Sequence, residues 1–81
     1  MFEITVEDLK LMLTGVKSSR VKDAVSNKDR RINMQISVLA NELQDILDNA
    51  NAITWYTGYD PKVTLSEFTA GLLRELKEEL A

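Results

Sequence analysis

A chain of 81 residues with a formal net charge of −3, no cysteine and no histidine has room for one domain with a small core. Disulfides are excluded as a source of stability, and without thiolate or imidazole a zinc or haem site is not expected, so no metal or cofactor is assigned. Oligomerisation is the remaining common way to stabilise so small a core. The opening residues lack a basic stretch followed by an apolar run, and no apolar segment approaches the roughly 18 residues of a membrane span. A cytoplasmic protein with no membrane association is the expectation.

The charge is unevenly placed. Residues 17–31 carry Lys17, Arg20, Lys22, Lys28, Arg30 and Arg31 against Asp23 and Asp29, whereas residues 32–81 carry three cations against eight acids. A basic block of this kind suits a phosphate-binding arm, with Lys28 and Arg30 as its contacts, or else a solvated linker.

In chain order, residues 5–15 predict a short helix. Thr5 and Asp8 resemble a capping box, Val6, Leu9, Leu13 and Val16 mark one apolar face, and Gly15 is a natural stop. Phe2 and Ile4 either staple the start of this helix or form a short strand before it. Such a helix is too short to stand alone, so its face packs on the domain, a second copy or a protein partner. Residues 16–29 read as a linker with a helical turn or two. Residues 1–29 are therefore taken as an N-terminal helix and basic linker, and 30–81 as the main domain.

Arg30 to Ser37 alternates: apolar Ile32, Met34 and Ile36 against polar Arg31, Asn33, Gln35 and Ser37. Period two is that of a strand with one face buried. Its free face would carry Arg31, Asn33 and Gln35, side chains able to make paired hydrogen bonds to base edges. Ser37 is placed to cap a following helix with Leu39, Leu43, Ile46, Leu47 and Ala50 inward. The run Thr57-Gly58-Tyr59-Asp60-Pro61 is a turn, and Thr64-Leu65-Ser66-Glu67 is a second capping box. The last helix places Phe68, Leu72, Leu73, Leu76 and Leu80 inward. Gly71 inside it suggests a close approach of another helix. Trp55, Tyr56 and Tyr59 are expected to cover the end of the core, the alternative being a stacking or protein-contact surface.

Strand, helix, turn and capped helix in this order resemble the ribbon-helix-helix family of DNA-binding proteins, which includes the Arc and methionine repressors. The likeness spans about residues 30–80. It rests on the Arg31–Ile36 alternation, the helix starting at Ser37 and the Thr64-Leu65-Ser66-Glu67-Phe68 segment. The resemblance implies a mainly α fold in which one short strand per chain pairs across a homodimer and enters the major groove of double-stranded DNA. It makes Arg31, Asn33 and Gln35 base readers, sets Thr64, Leu65 and Ser66 at a phosphate, and gives the dimer core to Ile32, Met34, Ile36, Leu39, Leu43, Phe68 and Leu72. The function implied is a small transcriptional repressor of phage or plasmid type, with further assembly on DNA and a protein partner for the N-terminal helix as additional expectations.

The same residues admit a different reading. Ile32, Ile36, Leu39, Leu43, Ile46, Ala50 and Ile53 keep heptad spacing, which supports one helix from about residue 20 to 54 with Met34 outside. That reading implies an all-helical protein-interaction module, such as a phage protein that binds and inhibits a host protein. Enzymatic activity is not expected: histidine and cysteine are absent, the carboxylates lie on polar helix faces, and no glycine loop could cradle a phosphate.

Overall fold

The computed structural model describes residues 2–81, in the order β1 (Phe2–Ile4), α1 (Val6–Ser18), α2 (Asn27–Thr57), β2 (Val63–Leu65) and α3 (Glu67–Leu80). Among the described residues no helix is long and apolar enough to cross a membrane.

The long α2 organises everything else. Its 31 residues correspond to about 46 Å at 1.5 Å per residue, and the longest dimension of the molecule is 46 Å. The helix starts at Ser26, whose hydroxyl accepts from the Asp29 N–H at 3.1 Å. It meets no glycine or proline until Gly58. There the backbone turns left-handed (φ 77°), and the Gly58 N–H closes the last turn on the Thr54 carbonyl at 2.8 Å.

Residues 30–37 are therefore helical, and the strand expected there does not exist. Ile32 and Ile36 are four apart, so both face inward from a helix as readily as from a strand; Met34 decides between the two. In a helix it lies about 200° round from Ile32, and it is 69 % exposed. Of the residues assigned to a dimer core, Ile32, Ile36, Leu39 and Leu43 are buried within the single chain, Leu72 is half-buried, and Met34 and Phe68 face solvent. Ser37 caps nothing; it sits in mid-helix, where its hydroxyl accepts from Arg20 Nη2 at 2.7 Å.

The two short helices pack on α2. Helix α1 begins at Thr5, whose hydroxyl accepts from the Asp8 N–H at 3.0 Å, as expected. It runs past Gly15, and the Ser18 and Ser19 hydroxyls donate back to the Gly15 carbonyl at 3.0 and 2.9 Å. Its face Val6, Leu9, Leu13 and Val16 is buried with Ile32, Ile36, Leu39, Leu43, Leu47 and Ala50 in one core. Residues 2–29 are thus part of the domain, and the apolar stripe of α1 is used internally.

Strands β1 and β2 pair antiparallel, with Phe2 opposite Leu65 and Ile4 opposite Val63. The cap of α3 is Ser66, accepting from the Thr69 N–H at 3.2 Å. It lies two residues after the expected Thr64, which is in β2. Thr69 is the buried polar residue of the core, and its hydroxyl lies 3.2 Å from Ser66 Oγ. Phe68 is 62 % exposed, so the inward face of α3 is Thr69 and Leu76 with Leu72 and Leu73 beside them.

No helix approaches Gly71, since a Cβ built there meets only Arg74 Nη2 at 3.9 Å. Gly71→Ala is accordingly expected to raise stability by about 1 kcal/mol through helix propensity. An upward shift in the urea midpoint checks this, and a loss of stability would show crowding at that position.

Candidate functional site

The residues expected to read bases do not share a surface. Arg31 and Gln35 are four apart and so fall on one side of α2, while Asn33, two residues from each, points about 160° away from both. Arg31 reaches α3, with Nη2 3.2 Å from Glu79 Oε1, an exposed pair that contributes at most about 1 kcal/mol. Gln35 borders a shallow polar hollow with Lys28, Glu75, Glu78 and Glu79, and its Oε1 is out of contact with water and has no hydrogen-bond partner. Asn33 clamps the α1–α2 connection: its Oδ1 accepts from the Val21 N–H at 2.8 Å and its Nδ2 donates to the Val21 carbonyl at 2.9 Å.

The expected phosphate contacts are likewise dispersed. Lys28 and Arg30 lie in the first turns of α2 and are exposed. Thr64 and Leu65 lie in β2, whose main chain pairs with β1, and Ser66 serves as the α3 cap. Among the described residues no cluster of three or more acidic side chains is placed to hold a metal.

The opposite end of the molecule has a different character. Ala50 is the last buried residue of α2, and the helix continues seven residues beyond it with no second helix alongside. On this tip Ile53 is 46 %, Trp55 86 %, Tyr56 87 % and Tyr59 80 % exposed. The aromatic residues do not cover the core; they stand clear of it. Isolated exposed apolar side chains are ordinary; here Ile53 and Tyr56, three apart, share one side of the helix, Trp55 lies about 160° round from Ile53, and Tyr59 follows the Gly58 turn.

The tip is also held rigidly. The Thr54 hydroxyl lies 3.1 Å from the Ala50 carbonyl and 2.9 Å from Asp60 Oδ1. The Thr57 hydroxyl bonds the Ile53 carbonyl at 2.8 Å, and its oxygen accepts from the Tyr59 N–H at 3.2 Å. With the Gly58 cap these bonds fix the turn that ends α2.

The charged residues are unevenly placed along α2. No lysine or arginine occurs between Arg31 and Lys62, while Glu42, Asp45, Asp48 and Asp60 fall in that interval. The basic residues Arg20, Lys22, Lys28, Arg30 and Arg31 gather at the other end, where α1 leads through Val21 to Asn33, and Glu75, Glu78 and Glu79 of α3 lie among them. These basic residues and the aromatic tip are therefore separated by most of the length of α2.

Compared with known protein families, the chain matches the Phage T4 Y00H/Y00G protein family over residues 2–80. The chain belongs to this family. No curated protein and no solved structure matches it. In this Y00H/Y00G family member, sequence reasoning placed the aromatic trio at the margin of the core because of residue type. The signal that placed it outside was length: α1 and α3 have 13 and 14 residues against the 31 of α2, so the far end of α2 has no helix to lie against.

Proposed function

We propose that the chain is a protein-interaction module, a small phage protein that binds and inhibits a host protein through the aromatic tip of α2. The observation that carries this reading is the exposure of Trp55, Tyr56 and Tyr59 on a capped, rigid helix end. Tryptophan and tyrosine supply large contact area at low entropic cost and dominate binding energies where they anchor in a partner's pocket. The absence of cations from residue 32 to 61 favours a basic or neutral partner surface over nucleic acid. A β-ribbon reading the major groove has no strand to use, since residues 30–37 are helical.

The test compares wild type with Trp55→Ser/Tyr56→Ser as baits in host lysate, followed by titration of the purified captured protein. The wild type is expected to hold one protein that the double variant loses by more than about tenfold in affinity, with circular dichroism unchanged. Trp55, the single tryptophan, should shift its emission to the blue on binding. Equal capture by both baits would remove the tip from the interface. Enrichment of a two-fold symmetric duplex from a random DNA pool at about 150 mM salt would replace the protein-binding reading with a DNA-binding one.

A further inference from the structure

The face of α2 turned away from the core is regular. From Met34 to Asp48 its exposed residues are Met34, Val38, Asn41, Asp45 and Asp48, and every residue between them is buried or half-buried. The same spacing of three and four continues to exposed Arg31 before this stretch and to exposed Ala52 and Trp55 after it. The stripe lies opposite the buried row Ile32, Ile36, Leu39 and Leu43 and runs about 36 Å along the helix. Its halves differ in chemistry. Arg31, Met34 and Val38 occupy the first half, and Asp45, Asp48 and Trp55 the second.

We infer that a second copy of the chain docks on this stripe, with its α2 antiparallel to the first. The inference rests on the reading of the aromatic tip as a protein-contact surface and adds its regulation: the second copy covers Trp55 until another protein displaces it. The pattern is self-complementary. An antiparallel copy centred at the level of Leu43 sets each position of the stripe against another one: Arg31 against Trp55, Met34 against Ala52, Val38 against Asp48, and Asn41 against Asp45. Each pair occurs twice about the two-fold axis, so the contact closes with two copies and yields no filament.

The chemistry of these pairs selects the direction. A guanidinium over an indole face is attractive, and Arg30 and Tyr56, the neighbours in sequence, repeat the combination. The Asn41 amide is a donor for the Asp45 carboxylate. A parallel copy would instead set Asp45 on Asp45, Asp48 on Asp48 and Arg31 on Arg31, which like charges oppose. Shape agrees with charge. Straight helices that cross diverge on either side of the crossing, and the long side chains Arg30, Arg31, Trp55 and Tyr56 stand at the two ends, where the gap is widest.

The chain has no cysteine, so introduced thiols report the arrangement directly. Met34→Cys and Ala52→Cys chains, both changed at exposed residues, are purified separately, mixed in equal amounts and oxidised. Sedimentation of the wild-type chain is measured from micromolar to millimolar concentration. A wild-type dimer is expected, with a disulfide-linked pair in the mixture and no linkage within either variant alone. In the antiparallel copy two Met34 positions lie about 27 Å apart along the helix axis, beyond the reach of a disulfide. Val38 supplies a second measurement whose sign depends on charge. Val38→Lys, facing Asp48, should tighten the dimer, and Val38→Glu should weaken it by about tenfold or more, both with unchanged circular dichroism.

A wild-type chain that stays monomeric at millimolar concentration overturns the dimer, while leaving the host-partner reading to its own capture test. Linkage of Met34→Cys to itself, without linkage in the mixture, shows a parallel pair and overturns the antiparallel one. A dimer that links in neither case, or that responds alike to lysine and glutamate at Val38, places the contact elsewhere and overturns the stripe as the docking surface.

Discussion

Leu43→Ala is expected to remove about 3–5 kcal/mol of stability, a large part of what so small a domain possesses. Leu43 and Leu39 are fully buried in the middle of α2, in the core that joins α1, α2, β2 and α3. A cavity there is bordered by rigid helices that cannot collapse into it without breaking their own backbone bonds. Urea unfolding followed by circular dichroism measures the loss, and Met34→Gln is its internal reference. Met34 lies two residues from Ile36 but is exposed, so that change should shift stability by no more than about 0.5 kcal/mol. If Ile32, Met34 and Ile36 instead formed the buried face of a ribbon, Met34→Gln would cost as much as a polar change at Ile36. Comparable losses at the two positions would overturn the helical assignment of residues 30–37.

How much of this fold the sequence carried depends on the element. Helix α1 was legible from Thr5, Asp8 and its apolar face, and α3 from its apolar spacing, though its cap fell at Ser66 and not at Thr64. The start of α2 was missed although Ser26-Asn27-Lys28-Asp29 repeats the Thr5-to-Asp8 pattern, because Ser18, Ser19, Ser26 and Asn27 read as breaks and Val21, Ala24 and Val25 offer only a weak helical stripe. The alternation around Met34 then supplied a false strand, since two inward residues four apart satisfy both periods.

The heptad reading found the helix but drifted at its far end. It put Ile46 and Ile53 inward, whereas Leu47 is buried and Ile53 is exposed. A straight helix packed against two short ones keeps its 3.6-residue period and does not supercoil to hold a seven-residue one. The aromatic tip follows from the same geometry. Residue type argued for burial of Trp55 and Tyr56, but burial needs a neighbouring element, and neither short helix extends that far.

Asn33→Ala should lower stability by about 1–3 kcal/mol, because it leaves the N–H and carbonyl of half-buried Val21 unpaired. The paired donor and acceptor that make asparagine suited to an adenine edge are here spent on a peptide group, which offers the same complementary pair. Asn33→Asp separates the two bonds. A carboxylate still accepts from the Val21 N–H, but it turns a second acceptor toward the Val21 carbonyl, so it should not restore the clamp.

The effect should be local before it is global. The connection between α1 and α2 contains no helix or strand from Ser19 to Ser26, and within it Val21 is tied to α2 by this side chain and Arg20 by its bond to Ser37. Amide exchange at Val21 is therefore expected to accelerate by about tenfold for each 1.4 kcal/mol lost, ahead of exchange in the core of α2. Wild-type protection at Val21 in Asn33→Ala would show that the connection is held by packing alone. It would also return the Asn33 side chain to the set of groups free to contact another molecule.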